Sequence, residues 1–335
     1  MQKPLVSIII PFKNTVTFLA ECIDSILEQD YKNWEVLAVD DHSTDASKQC
    51  LENYTTTDSR IQVFTNKGNG IINALRLGYS HSKGEFITRM DSDDIMTSNR
   101  ITVMVNSLLK SGKNHLAIGK VKYFSEKGIS NGYERYEQWL NNLTKNGSNY
   151  TDIYKECVIP SPCWMAHRKD FEHCGGFEHD RYPEDYDLAF RFYKNNLKCI
   201  PCNQVLLHWR DYDTRSSRTS EHYAQNYFLE IKLDYFLEIE HHQQRPLVLW
   251  GAGNKGKEIA KHLIKKEIDF YWVCDNEKKI GKEIYDKEMF HFKKLDHLNN
   301  PQTIITVANQ EAQNMIKNYF ESLKKTNAED YYFFC

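Results

Sequence analysis

The sequence predicts an α/β protein, with a mixed, mostly parallel sheet between helices followed by a second, smaller α/β domain. Three observations predict it. From residue 5 to the acidic loop at 91–94, β-branched apolar runs alternate with stretches of helical periodicity, the pattern of parallel strands joined by crossover helices. Three strands end in polar loops, at 11–14, 40–41 and 91–94, and parallel topology gathers such ends at the sheet edge where doubly wound folds bind ligands. At Leu247 the alternation starts again, with a glycine turn between strand and helix.

Residues 5–10 (LVSIII) form a continuous apolar run expected of a strand buried on both faces. Pro11 ends it and opens the loop 11–14. Phe18, Leu19, Cys22, Ile23, Ile26 and Leu27 then mark one helical face. A second strand over 34–39 runs into Asp40 and Asp41, and His42, Ser43, Thr44 and Asp45 supply turn and capping groups. A third strand (61–64) leads to the Asn/Gly loop 66–70, which contains Asn69, and then to a helix over 71–79. Phe86, Ile87 and Met90 belong to the strand before the acidic loop. Further on, 121–124 reads as a strand, 133–143 as a helix and 205–207 as a strand followed by His208. An amphipathic helix over 226–240 and the polar residues 241–244 read as a linker.

The chain has 335 residues, enough for two domains with sizeable cores. A net charge of −3 gives no reason to expect a nucleic-acid partner. No apolar run approaches the roughly 20 residues of a membrane span. The start, MQKPLVSIIIPF, enters a strand almost at once without a small-residue cleavage site, so no secretory leader is expected. The nine cysteines therefore read as free thiols in a reducing compartment, and Cys199-Ile200-Pro201-Cys202 lacks the second pair a zinc site would want.

The stretch 84–96, GEFITRMDSDDIM, carries the chemistry. Asp91, Asp93 and Asp94 crowd the end of a buried strand and would repel one another unless a positive charge sits among them. A hard cation, Mn²⁺ or Mg²⁺, takes oxygen ligands and leaves positions open for a diphosphate. The bland alternative is an exposed turn in which Asp93 or Asp94 caps the next helix.

SIIIPFKN, then VLAVDDHSTD, then NKGNG, then RMDSDD resembles, in that order and spacing, family 2 glycosyltransferases of the GT-A fold. The resemblance continues in Gly175-Gly176-Phe177 and in the PEDYDLAFR stretch from Pro183, and covers residues 5–220. It implies a first domain over 1–225, with a nucleotide-binding half (1–115) and an acceptor half (116–225). It also implies that Asp41, with Asp40 and the Pro11 and Asn69 loops, receives a nucleotide. Asp93 would be the main metal ligand, with Asp91 and Asp94 holding ribose, metal or sugar. Asp185 would be the general base, with Glu184 beside it. The chemistry agrees: a cation neutralises a departing diphosphate while a carboxylate opposite it activates a hydroxyl. The alternative for Glu184 and Asp185 is a capped helix start, with Arg191 as a surface ion-pair partner. Trp164 reads either as a sugar platform or as core. The loop after His208 resembles that of family members with an extra C-terminal domain. There Arg215 and Arg218 would neutralise diphosphate, and His208 is a candidate metal or phosphate contact.

The domain at 245–335 opens with Gly251-Ala252-Gly253-Asn254-Lys255-Gly256, a G-x-G-x-x-G turn between strand and helix. Asp275 lies about 20 residues further on, the Rossmann-like pattern for a nucleotide ribose. The same glycines also serve close helix–strand packing without a ligand. The leading expectation is an inverting glycosyltransferase that takes a UDP-sugar and a glycan or lipid-linked acceptor in the cytoplasm, at the inner face of a membrane; self-association is left open. A sugar nucleotidyltransferase would want a basic, glycine-rich loop where 11–14 stands. An NAD-dependent oxidoreductase would leave the N-terminal acids unexplained. A non-catalytic binding module would not need acids at both the metal and the base positions.

Overall fold

The computed structural model describes residues 3–219 and 228–335. The chain divides into two compact units, one of residues 1–149 with 158–218 and the other of 150–157 with 219–335.

The first unit is built on an eight-stranded sheet in the order β3-β2-β1-β4-β7-β6-β8-β5. Strands β1 (Val6–Phe12), β2 (Trp34–Asp40), β3 (Ile61–Thr65) and β4 (Phe86–Arg89) pair in parallel, linked by helices α1 (Val16–Leu27), α2 (Ser47–Thr55) and α3 (Ile71–His81). Ile8, Ile9, Val36 and Leu37 are completely buried, which is why these strands read as unbroken apolar runs. Gly78 lets α3 lie on the sheet, since a Cβ there would stand 2.8 Å from the Ile9 side chain.

Beyond β4 the sheet becomes mixed. The short β5 (Ile95–Met96) leads to α4 (Arg100–Ser111), β6 (His115–Phe124), α5 (Asn131–Asn146), β7 (Trp164–His167), α6 (Arg168–His173), α7 (Glu184–Lys194) and β8 (Lys198–Arg210). Strand β7 is antiparallel to both β4 and β6, β8 is parallel to β6, and β5 is antiparallel to β8. Three strand boundaries differ from expectation. β6 begins at His115, six residues before the stretch 121–124 expected as a strand. β1 runs through Pro11, which sits opposite Val39 in the register, because a proline next to a strand's end costs little ladder bonding. β8 begins seven residues earlier than the polar sequence KCIPCNQ suggests, and it contains His208 rather than ending before it. Its first half is largely exposed, so it carries no apolar signal. All nine cysteines are free.

A single helical turn, α8 (Ser216–Thr219), spans the point where the chain enters the second unit for the second time. There α9 (Leu229–Ile239) lies in the stretch expected as linker, with Leu233 and Phe236 fully buried; residues 226 and 227 lie outside the described residues. Its sheet, in the order β11-β12-β10-β9-β13-β14, comprises β9 (Leu247–Trp250), β10 (Tyr271–Cys274), β11 (Glu283–Ile284), β12 (Lys287–His291), β13 (Gln302–Ile305) and β14 (Tyr331–Phe333). Only the β11–β12 pairing is antiparallel. Helices α10 (Asn254–Lys265) and α11 (Gln310–Ser322) complete it. No helix among the described residues is long and apolar enough to cross a membrane.

Candidate active site

Parallel pairing of β2, β1 and β4 places the loops after them side by side: Asp41 N–H bonds Phe12 O at 2.9 Å and Met90 N–H bonds Ile9 O at 3.0 Å. Asp41 Oδ1 accepts from Asn66 Nδ2 (2.7 Å) and from Gly70 N–H (2.9 Å), and Lys13 Nζ stands 3.6 Å from Oδ2. Gly70 has φ +86°, a conformation that suits glycine there. Asp40 is turned to its own loop, accepting from Ser43 N–H at 2.9 Å. Asn69 is exposed. Asn66, which the sequence reading passed over within NKGNG, is the residue that holds Asp41.

The acidic loop is held from both sides. Asp91 Oδ1 takes Arg89 Nε and Nη2, each at 3.0 Å. Asp93 Oδ2 accepts from the Tyr212 hydroxyl at 2.9 Å, and Asp94 Oδ1 from Arg210 N–H at 2.8 Å. Arg210 Nε also donates to Asp93 O at 2.7 Å, with its guanidinium between the Phe18 and Phe124 rings. Burial, then the charge of Asp91, raises the Asp93 carboxyl above the usual range; burial, then Asp93, raises that of Asp94 well above it. Arg215 opposes both shifts and lies over the Trp209 ring at 5.1 Å. Burial works against the charge of Arg215, but Asp94, Tyr123 and Asp93 more than offset it.

Two expectations land elsewhere, and one open alternative is decided. Arg218 makes a two-pronged pair with Asp211 (2.8 and 2.6 Å) and lies over Tyr133, so it faces away from the use its neighbour Arg215 has. His208 pairs with Ile95 across the β5–β8 ladder and meets Phe124 edge-on at 6.2 Å. Trp164 is buried against Phe171 and Phe192, which makes it core and not a sugar platform.

On the far side, Glu184 and Asp185 form the first turn of α7. Glu184 Oε1 accepts from Arg89 Nη1 at 2.8 Å, so one guanidinium bonds both this turn and Asp91. Burial, then the charge of Glu184, pushes the Asp185 carboxyl up to about 7, with Arg89 pulling the other way. That is where a general base at neutral pH belongs. About two turns on, Arg191 is not on the surface as the bland reading had it. It is 5% exposed, bonds Asp187 Oδ2 at 2.7 Å, and donates to the carbonyls of Cys174 and Gly176. It thereby clamps the Gly175-Gly176 turn, whose residues both have positive φ.

Among the described residues no three His, Cys, Asp or Glu side chains are grouped to hold a metal ion by themselves. The donor set nevertheless suits a hard cation shared with a ligand. Asp94 Oδ2 is buried without a hydrogen-bond partner, and Asp93 lies beside it with a carboxyl whose charge burial disfavours. A cation completed by diphosphate oxygens would satisfy both.

In the second unit, two glycines of the G-x-G-x-x-G turn are accounted for by packing. A Cβ at Gly251 (φ +128°) would come within 2.4 Å of Thr306 Oγ1, and one at Gly256 within 2.1 Å of Gly251 O. Gly253 faces open space, Asp275 is exposed, and Lys279 Nζ donates to Ala252 O at 2.6 Å.

This architecture, with its acids at the parallel strand ends, is that of a GT-A glycosyltransferase. The chain belongs to glycosyl transferase family 2, whose model matches residues 7–175. It is 36% identical over 219 residues to UDP-Glc:alpha-D-GlcNAc-diphosphoundecaprenol beta-1,3-glucosyltransferase WfgD of Escherichia coli, covering 63% of this chain and 78% of that one. An uncharacterized glycosyltransferase of Haemophilus influenzae is 30% identical over 70% of this chain and 75% of its own length. Glycosyltransferase GlyG of Streptococcus pneumoniae is 42% identical over 102 residues, but the match spans only 30% of this chain and 34% of GlyG. Among solved structures, S. aureus TarS 1-349 in complex with UDP-GlcNAc superposes with TM-score 0.56 at 16% identity, over 77% of this chain and 71% of TarS. The mannosyltransferase PcManGT from Pyrobaculum calidifontis, with GDP-Man and Mn²⁺, gives 0.51 at 18% identity over 71% and 64%.

Proposed function

We propose that this glycosyltransferase is inverting and cation-dependent, and moves a hexose from a UDP-hexose to a hydroxyl of a glycan or lipid-linked acceptor. The observation that carries the reading is Asp185: a half-buried carboxyl pushed up to about 7, beside Glu184, which Arg89 ties to the acidic loop. The name of the Escherichia coli relative, with its UDP-Glc donor and diphosphoundecaprenol acceptor, supports the substrate classes. The Mn²⁺ in the PcManGT complex agrees with a cation in the fold.

In this reading Asp41, oriented by Asn66 and Gly70, accepts hydrogen bonds from the nucleotide, with Pro11 and Asn69 bordering the same site. Asp93 and Asp94 hold Mn²⁺ or Mg²⁺, which when bound supplies positive charge to the departing diphosphate. Arg215 adds a second cation on that side, and Asp91, fixed by Arg89, faces the ribose or the sugar. Asp185 takes the proton of the acceptor hydroxyl as its oxygen bonds the anomeric carbon, and the carbon–oxygen bond to the diphosphate breaks on the opposite face. UDP leaves, and one displacement inverts the anomeric centre. The acceptor being lipid-linked would place the enzyme at the cytoplasmic face of a membrane. The test is a thermal-shift panel of UDP-, GDP- and CMP-sugars with and without Mn²⁺, because a ligand of the folded state raises the melting temperature. UDP-sugars are expected to act only with the cation; no shift from any nucleotide sugar would end the reading.

A further inference from the structure

Resting on that reading, we infer that Arg89 is the positioning residue of the reaction: its guanidinium fixes the first turn of the base helix against the acidic loop that carries the donor. Arg89 is the last residue of β4, and its side chain is 6% exposed. It bonds the same-loop Asp91 through Nε and Nη2 and, 95 residues away in the sequence, Glu184 through Nη1. A planar fork can bond two carboxylates in fixed directions at once; the point charge of a lysine cannot. The two partners belong to the two sides of the displacement, so the distance from base to anomeric carbon is set across this one side chain. An error there of about 1 Å is enough to lower a rate by about 100-fold.

The fork also governs the charge around the base. The charged groups acting on Asp185 are Glu184 on its own helix, Arg89 from β4 and Asp91 from the acidic loop. Two are negative, and Arg89 stands in contact with both of them. Without it the two acids would hold the Asp185 proton more tightly, and the base would act only at higher pH.

The test uses the full chain, UDP-glucose and Mn²⁺, following UDP release with water or acceptor from about pH 5.5 to about 9, with donor affinity measured by calorimetry. R89A should lower kcat by about 100-fold, lower UDP-glucose affinity by much less than that, and move the acid limb of the profile up by about one pH unit or more. R89K should recover only part of kcat. E184Q, which removes one of the repelling charges, should move the limb down, and R89A/E184Q should bring it back toward wild type. A bystander holding the fold would not produce these opposed shifts. R89A with wild-type kcat and limb, or with its whole defect in donor affinity, overturns the inference; so does E184Q with an unmoved limb, a measurement that stands even if R89A does not fold. Wild type releasing no UDP from any nucleotide sugar would remove the transferase reading and this one together, whereas active wild type with an unaltered R89A removes this one alone.

Discussion

Replacing Arg191 by alanine tests whether the turn ahead of the base helix is held by a buried ion pair. Arg191 is 5% and Asp187 1% exposed, their bond is 2.7 Å, and the same guanidinium serves the carbonyls of Cys174 and Gly176. Removing one partner of a buried pair leaves the other charged in a poor solvent and costs about 3–5 kcal/mol. His179, 3.4 Å from Asp187 and half exposed, is a weak substitute. For a domain of this size each kcal/mol is worth about 2–4 °C, so R191A should melt roughly 6–20 °C below wild type. The assay is calorimetric or circular-dichroism melting at neutral pH, on R191A, D187A and the double variant. Because the penalty comes from the stranded charge, D187A/R191A should melt above R191A. A drop of less than about 3 °C in R191A, or a double variant no better than the single, would refute the argument and make the clamp a matter of packing alone.

Asp185→Asn should abolish transfer while leaving cation-dependent UDP binding intact, and Asp93→Ala should abolish transfer and weaken that binding too; calorimetry with UDP and Mn²⁺ separates them. The Asp185 carboxyl, raised to about 7 when folded, favours the folded state at acid pH and loses that contribution as pH rises through 7. D185N should therefore melt above wild type at pH above 7, with the difference closing toward pH 4, and the rate of wild type should rise with pH through about 7. In the second unit, Gly256→Ala must push a methyl group into Gly251 O and should lower that unit's melting transition, whereas Gly253→Ala meets open space and should leave it unmoved.

Much of this was legible in the chain. Parallel strands buried on both faces advertise themselves as apolar runs, and the acids at their ends stand out because nothing in a strand needs them. What stayed hidden was mostly partnership. Arg215 and Arg218 look alike in the sequence; Asp211 claims one and the acidic loop the other, a distinction made only by the fold. Arg89 and Arg191 each have an acid close by in the chain, Asp91 and Asp187, but nothing local marked them as buried or showed their further partners: Glu184 lies 95 residues from Arg89, and Arg191 also serves the backbone carbonyls of a turn. Trp164 was ambiguous because a buried aromatic and a sugar-stacking one share the same residue type. The first half of β8 escaped notice because an exposed strand has no apolar periodicity to read.

The chain passes from the first unit to the second at Asn149, returns at Val158, and passes over for good at Arg218. Within the second unit, the short excursion puts Tyr154 flat against Phe334 at 5.4 Å, and the carbonyl of Thr151 under Asn327. The carboxy-terminal module is thus not a detachable tail. A shortened protein ending near residue 218 would keep a tyrosine whose aromatic neighbours had been cut away, and grafting the module onto another transferase would require moving an internal octapeptide with it.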